Sequence, residues 1–386
     1  MTGKEMLKGI QNLDAGLIEE AEFAPYPKRK SFGKKKLLLL IAAVLIMGTM
    51  TAATVYTRWS ATMQMGSSSG IQPSEQIKKQ AEKTGLSVTP TETKDGKQKS
   101  VSATDNGITV TAVQTLADQY GGVVIFRIKG LKLEDGQLPW VWFDFLIDGQ
   151  PLREIGETTP GFNMGLSGDF YEGITQDAQG NLVYIKNGQP VAADESGSFV
   201  YDFQLSDGSL EYRVRFHWDG NPLLGKVVTF RFTGFGIQGA TKYDEAVMTV
   251  PGDWELTWTL EGSAGEAKTW IPNAPIGSLP ITLSQVEIGQ YSMKLIYRID
   301  EQAYAKYADF DDFQFKNAWS PYPAGVRWKD GTEMFVNGGG TQSWDAENHR
   351  FTVIIGALDT VLDPEQIVGM SFYFGTEGEK CDIPFE

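Results

Sequence analysis

Cysteine is almost missing from this chain of 386 residues: Cys381 stands alone, so no intramolecular disulfide can form and a disulfide-stapled scaffold is excluded. Only two histidines occur, His217 and His349, which leaves no His-rich zinc spacing. No glycine-rich phosphate loop is present, and no Asn-x-Ser/Thr acceptor, which speaks against a glycosylated, eukaryotic-style ectodomain. Basic charge is scarce as well. The formal net charge is −15, and because residues 1–36 carry +3 and the next twenty carry none, the remainder holds −18. Anionic polymers bind through lysines and arginines that neutralise phosphate, and here those are outnumbered, so no nucleic-acid partner is expected.

One uncharged apolar run is present, Leu37 to Tyr56, opening on Leu37-Leu38-Leu39-Leu40-Ile41. Twenty helical residues rise about 30 Å, the thickness of a bilayer's hydrocarbon core. Lys28, Arg29, Lys30, Lys34, Lys35 and Lys36 precede the run, and only Arg58 follows closely. By the positive-inside rule the N-terminus is expected to be cytoplasmic and residues 57 onward exported from the plasma membrane. Tyr26, Tyr56 and Trp59 suit anchoring at the membrane interface. Thr51-Ala52-Ala53 offers the competing reading of a cleaved signal peptide. The length of the run and the 36 residues before it favour a retained signal-anchor helix. Gly48 and Ala52 have the small-xxx-small spacing of packed membrane helices.

Ahead of the run, Met6, Ile10, Leu13 and Leu17 recur at steps of four, three and four, which predicts one apolar face of a short amphipathic helix in a cytoplasmic tail over 1–36. With Gly9 and Gly16 inside it, such a helix is marginal in water alone, so this face is the candidate partner-binding surface. A solvated tail is the plain alternative.

Beyond the run, residues 57–102 are polar and poor in aromatics, with Gly66-Ser67-Ser68-Ser69-Gly70 inside them, and predict a stalk with a short helix over Ser74 to Lys83. Period-two alternation then dominates. In Trp254-Glu255-Leu256-Thr257-Trp258 every even position is large and apolar, and Tyr212, Val214, Phe216 and Trp218 alternate with Arg213, Arg215 and His217. Asn106-Gly107, Asp148-Gly149, Asp207-Gly208 and Asp330-Gly331 are hairpin-turn dipeptides. Short strands so punctuated, with few helical periods, predict a mainly β chain of two antiparallel sandwiches, one over 103–263 and one over 266–386.

The run Asp105-Asn106-Gly107-Ile108-Thr109-Val110, with Ala117-Asp118-Gln119-Tyr120 and Val123 to Ile128, resembles the bacterial membrane-anchored family called domain of unknown function 4179. Gly252-Asp253-Trp254-Glu255-Leu256, Ile281 to Ile288 and Met293 to Tyr297 are similar to its immunoglobulin-like partner, domain of unknown function 5643. The tail, with Ile10, Leu13, Asp14, Leu17 and Ile18, is similar to the leader of these proteins. The resemblance implies a cell-surface protein, in some members linked to extracytoplasmic-function sigma factors, without assigned chemistry. A Cys/His zinc-type anti-sigma module is lacking here.

Catalytic candidates are thin. The Gly66 to Gly70 stretch matches Gly-x-Ser-x-Gly in letters only, without the strand and helix that make a nucleophile elbow. Asp300, Asp309, Asp311 and Asp312 could supply oxygen ligands to Ca²⁺, but EF-hand spacing is absent and a solvated acidic turn is the simpler reading. No catalytic residue, cofactor or metal is therefore assigned, and a non-enzymatic envelope protein is expected. Trp319, Trp328 and Trp344, in turn-rich segments, are candidate platforms for a wall glycan, the reading from a different class; Trp140, Trp142, Trp254 and Trp258 are expected in the core. A glycosidase-like enzyme would need two carboxylates about 5–9 Å apart across a cleft, and no pair stands out.

Overall fold

A computed structural model describes residues 59–65 and 75–385, apart from 95–96, 135–136, 153, 156–162, 177–181, 187–188, 193–202, 220–222, 239–244, 264–266, 308, 337 and 359–360. The chain divides into one unit over Met1–Val55 and another over Tyr56–Glu386. The expected tail helix with Met6, Ile10, Leu13 and Leu17, and the apolar span 37–56, lie outside the described residues. Among the described residues no helix is long and apolar enough to cross a membrane.

The second unit is mainly β, and its sheets are antiparallel. In the first sheet the strands run Ser87–Val88, Ile108–Ala117, Gly121–Lys129, Leu210–Asp219 and Asn163–Phe170, with Ser102–Asp105 also paired to Ile108–Ala117. A second sheet runs Val247–Thr259, Val227–Gln238, Leu138–Ile147 and Gln150–Pro151. The two meet face to face: the Phe126 ring lies 4.9 Å from Phe230 and 5.0 Å from Phe232. The alternation explains why. Trp254, Leu256 and Trp258 are buried while Glu255, Thr257 and Thr259 are exposed, so each strand turns one apolar row toward the opposite sheet.

A second core lies between two further sheets. One runs Lys268–Trp270, Ile281–Ile288, Met293–Ile299, Arg350–Gly356 and Gly339–Asp345; the other runs Glu333–Phe335, Gly325–Trp328, Ile367–Phe374 and Glu379–Pro384. Tyr297 stands at its centre, fully buried, packed edge-on against Trp319 and Phe372 and donating to the Pro321 carbonyl at 2.7 Å.

Turn chemistry holds where it is visible. Asn106-Gly107 has φ of 45° and 77°, and Asp148-Gly149 has 49° and 79°, the pair of positive values that a two-residue type I′ hairpin demands. Helices are short: α1 (Ala61–Met65), α2 (Glu75–Lys83), α3 (Glu301–Lys306) and α4 (Phe310–Asn317). The expected short helix after Ser74 is α2.

Two expectations need correction. The described parts of the segment 57–102 are not a free polar stalk, because Trp59, Met63, Ala81 and Leu86 are buried and Thr91–Lys94 pairs with Lys97–Ser100 as a hairpin. Trp59, Met63, Ala81 and Leu86 converge on one cluster, which average composition hides. Trp140 and Trp142 are not core residues. Val141, Phe145 and Ile147 face the first sheet, so the opposite parity of the same strand turns outward and leaves Trp140 41% exposed.

Candidate functional site

Residues that follow the apolar run enter a buried joint. Ser60 opens α1: its hydroxyl accepts from the Met63 amide at 3.2 Å, an N-cap contact, while its own amide donates to Gln114 Oε1 at 2.8 Å. The next two amides donate to Glu211, Ala61 N at 3.1 Å to Oε1 and Thr62 N at 3.0 Å to Oε2, and the Thr62 hydroxyl adds a bond of 3.0 Å. Arg127 completes the set with Nη2 2.9 Å from Glu211 Oε1. The Glu211 side chain is fully buried. A buried carboxylate is costly unless charge and hydrogen bonds answer it, and here a guanidinium, a hydroxyl and the first amides of a helix do so together.

Around this polar knot lies a separate apolar cluster that draws on both halves: Trp59, Met63, Ala81 and Leu86 meet Leu116, Val123 and Ile125 of the first sheet and Tyr291, Ala357 and Val361 from the C-terminal half. Trp59 is 7% exposed and donates its indole N–H to Glu82 at 3.0 Å, which ties α1 to α2. Trp59 was expected to anchor at a membrane interface; the joint claims it instead. From the end of α2, the Thr84 hydroxyl reaches Gln290 of the second half at 2.8 Å.

The two halves also touch directly. Asp118, fully enclosed, accepts from the Tyr291 amide at 2.9 Å and the Ser292 hydroxyl at 2.5 Å, and burial raises its carboxyl above the usual range against those bonds. The Tyr120 hydroxyl donates to Glu287. His217 sits on the parity of its strand that the sequence marks as polar, yet it is buried, because the second half covers that face. Glycines make its slot: a Cβ at Gly165 would fall 2.1 Å from its Nε2, one at Gly356 2.5 Å from its Cβ, and one at Gly339 2.9 Å from its Nδ1. Nε2 has no hydrogen-bond partner among the described residues, and burial lowers the imidazole pKa while a bond with the Gly340 backbone works the other way.

The candidate glycan platform does not assemble. Trp319 is 4% exposed and packs against Tyr297 and Phe310; Trp328 and Trp344 are half-buried against the same core. Trp319 and Trp344 pack inward because α3 and α4 present Tyr304, Phe310 and Phe313 for their rings to pack on. The acidic residues nearby serve the helices: Asp300 accepts from Ala303 N and Asp309 from Asp312 N, both at 2.7 Å, and Asp312 pairs with Lys316. Asp300 and Asp309 are N-caps, and among the described residues no group of three or more His, Cys, Asp or Glu is placed to hold a metal ion. His349, at φ 50°, stacks 4.0 Å from the Tyr304 ring in a turn. Sequence reasoning missed Gln114 and Glu211; its one available signal was a polar residue on the apolar parity or inside a buried strand.

No family model matches this chain, and no curated protein does. Among solved structures, the conserved domain protein from Bacillus anthracis aligns at a TM-score of 0.40 and 11% identity, over 78% of this chain and 90% of that one. A structure called BspA_C_WT aligns at 0.12 and 9% identity, over 77% and 97%.

Proposed function

We propose that this chain is a single-pass bacterial envelope protein without catalytic chemistry. In this reading the Leu37 to Tyr56 run spans the plasma membrane, residues 1–36 remain cytoplasmic, and two immunoglobulin-like β-sandwiches outside bind or sense an envelope component. The tail face of Met6, Ile10, Leu13 and Leu17 contacts a cytoplasmic protein, a sigma factor being the partner that the family resemblance suggests.

The observation that carries the proposal is the joint. Three residues beyond the apolar run the chain is buried at Trp59, hydrogen-bonded through Ser60, Ala61 and Thr62, and in contact with residues of both halves. A flexible tether would isolate a membrane helix from events in the folded region. A chain that leaves the membrane directly into a packed joint passes on any rearrangement between the two halves, which is the element a transmembrane sensor needs.

Single cysteines in a Cys381→Ser background test the topology in intact cells with a membrane-impermeant maleimide. Cysteine at the exposed Lys329 is expected to react without permeabilisation, and cysteine at Lys8 only after it. Labelling of Lys8→Cys in intact cells, or protection of Lys329→Cys, overturns the reading.

A further inference from the structure

The outer face of the second sheet carries an unassigned aromatic surface. Cross-strand register places Trp140 beside Gly236 and Met248, and Trp142 beside Gly234 and Pro251. The two indoles are neighbours, their rings 6.5 Å apart and inclined by 71°. Glycine in the central strand leaves the floor between the rows low, and the Met248 side chain lies over Gly234. The next row on this face is charged: Asp144, Arg231 and Glu255 stand in register, with Arg231 held bidentate by Asp253 at 2.8 and 3.0 Å.

Trp140 also walls a cleft of about 210 Å³ at the open end of the first core, lined on its other sides by Gly168, Phe170, Glu172 and Tyr212. Tyr212 is 5% exposed, and its hydroxyl lies at the wall of the cleft where a side chain at Gly168 would stand. Burial, and after it the charge of Asp169, raises that phenol's pKa, so it stays a donor. Glu172 lines the same cleft.

We infer that Trp140 and its cleft form a binding site for a neutral pyranose glycan, one sugar stacking its C–H face on the indole and placing hydroxyls on Tyr212 and Glu172. The chemistry selects this class. At the cleft Arg213 and Arg215 answer the charge of Asp169, and the neighbouring row of Asp144, Arg231, Asp253 and Glu255 is net negative, so the surface favours a neutral ligand over phosphate, uronate and anionic lipid. Pro139, one residue away, removes a donor from the strand edge, which works against extension of the sheet by a peptide. The charged row beside the ring offers both donors and acceptors, matched to hydroxyl groups that are both. The volume is below the roughly 300 Å³ at which drug-sized pockets begin, so one ring-sized unit fits inside and the rest of a chain runs outward over the sheet.

The test is tryptophan fluorescence and calorimetric titration of the full chain in detergent micelles with neutral β-1,4-linked hexasaccharides of glucose and of N-acetylglucosamine. Saturable binding is expected, weakened about tenfold or more by Trp140→Ala and severalfold by Tyr212→Phe, with thermal midpoints unchanged in the second variant, since only a hydroxyl is lost. Trp319→Phe is expected to leave binding intact. No saturation at millimolar sugar overturns the inference. So does binding that Trp140→Ala leaves unchanged, or preference for a lysine-rich peptide or an anionic vesicle over both sugars. None of these outcomes bears on membrane topology, which the cysteine labelling decides.

Discussion

His217 shows how a single residue changes meaning when a second body covers it. Among Arg213 and Arg215 it reads as one of a polar row, but a slot of glycines encloses it between the two halves, and its Nε2 meets no hydrogen-bond partner among the described residues. Its folded pKa lies below the ordinary histidine value of about 6.5, because burial disfavours the cation by more than the bond with the Gly340 backbone restores. The unfolded chain therefore binds the proton more readily than the folded one. Stability is full above about pH 6.5 and falls as pH drops through that value toward the folded pKa. Asp118 has the opposite sign: its raised pKa means that its contribution is greatest below the unfolded value and is lost as pH rises through the folded one. Acid loss between about pH 7 and 5.5 thus belongs to the histidine. Urea unfolding is expected to show a lower midpoint at the acid end in the parent chain and a flatter dependence in His217→Gln; equal slopes in both would remove this account.

At the level of elements, close backbone approach sets what packs on what. Gly121 opens one strand and Gly356 closes another, and a Cβ at 121 would come 2.8 Å from the Gly356 Cα, nearer than real side chains approach. The two strands meet there because both positions lack side chains. Gly356→Ala should therefore push His217 and Gly121 away and cost about 1–3 kcal/mol of unfolding free energy, readable in denaturant titrations as a drop in midpoint with little change in slope. A neutral result would mean that the halves part without cost. Strand assignment itself was legible: rows such as Trp254, Leu256 and Trp258 alternate cleanly, since one face meets the core and the other meets water. In Leu138–Ile147 the rule had no purchase, because Trp140 and Trp142 on one parity and Val141, Phe143 and Phe145 on the other are all apolar. Hydropathy ranks both faces alike, and only the position of the first sheet decides which is covered. Helices α3 and α4 escaped notice because their apolar positions, Tyr304, Tyr307, Phe310 and Phe313, pack as a local aromatic cluster without a long amphipathic repeat.

For the molecule as a whole, the joint makes residues 59–65 part of the fold. A chain beginning at Gly66 would leave Gln114 without the Ser60 amide, take three hydrogen bonds from the buried Glu211, and expose the seat of Trp59 and Met63. Relative to a chain beginning at Tyr56, it is expected to lose about 3–5 kcal/mol, measured by urea unfolding. Equal stability of the two would reduce the joint to a surface contact and remove the physical support for transmission through it.

Composition and period by themselves determined much here: an acidic chain without disulfides, an uncharged run of twenty residues behind a basic cluster, and strand after strand joined by tight turns, because charge, hydropathy and alternation are local properties that the order of residues carries directly. Tertiary structure alone decided the rest. Which tryptophans meet solvent, why a histidine on a polar row is buried, and where Glu211 finds its partners all depend on residues tens to hundreds of positions apart, brought together by the packing of one half on the other.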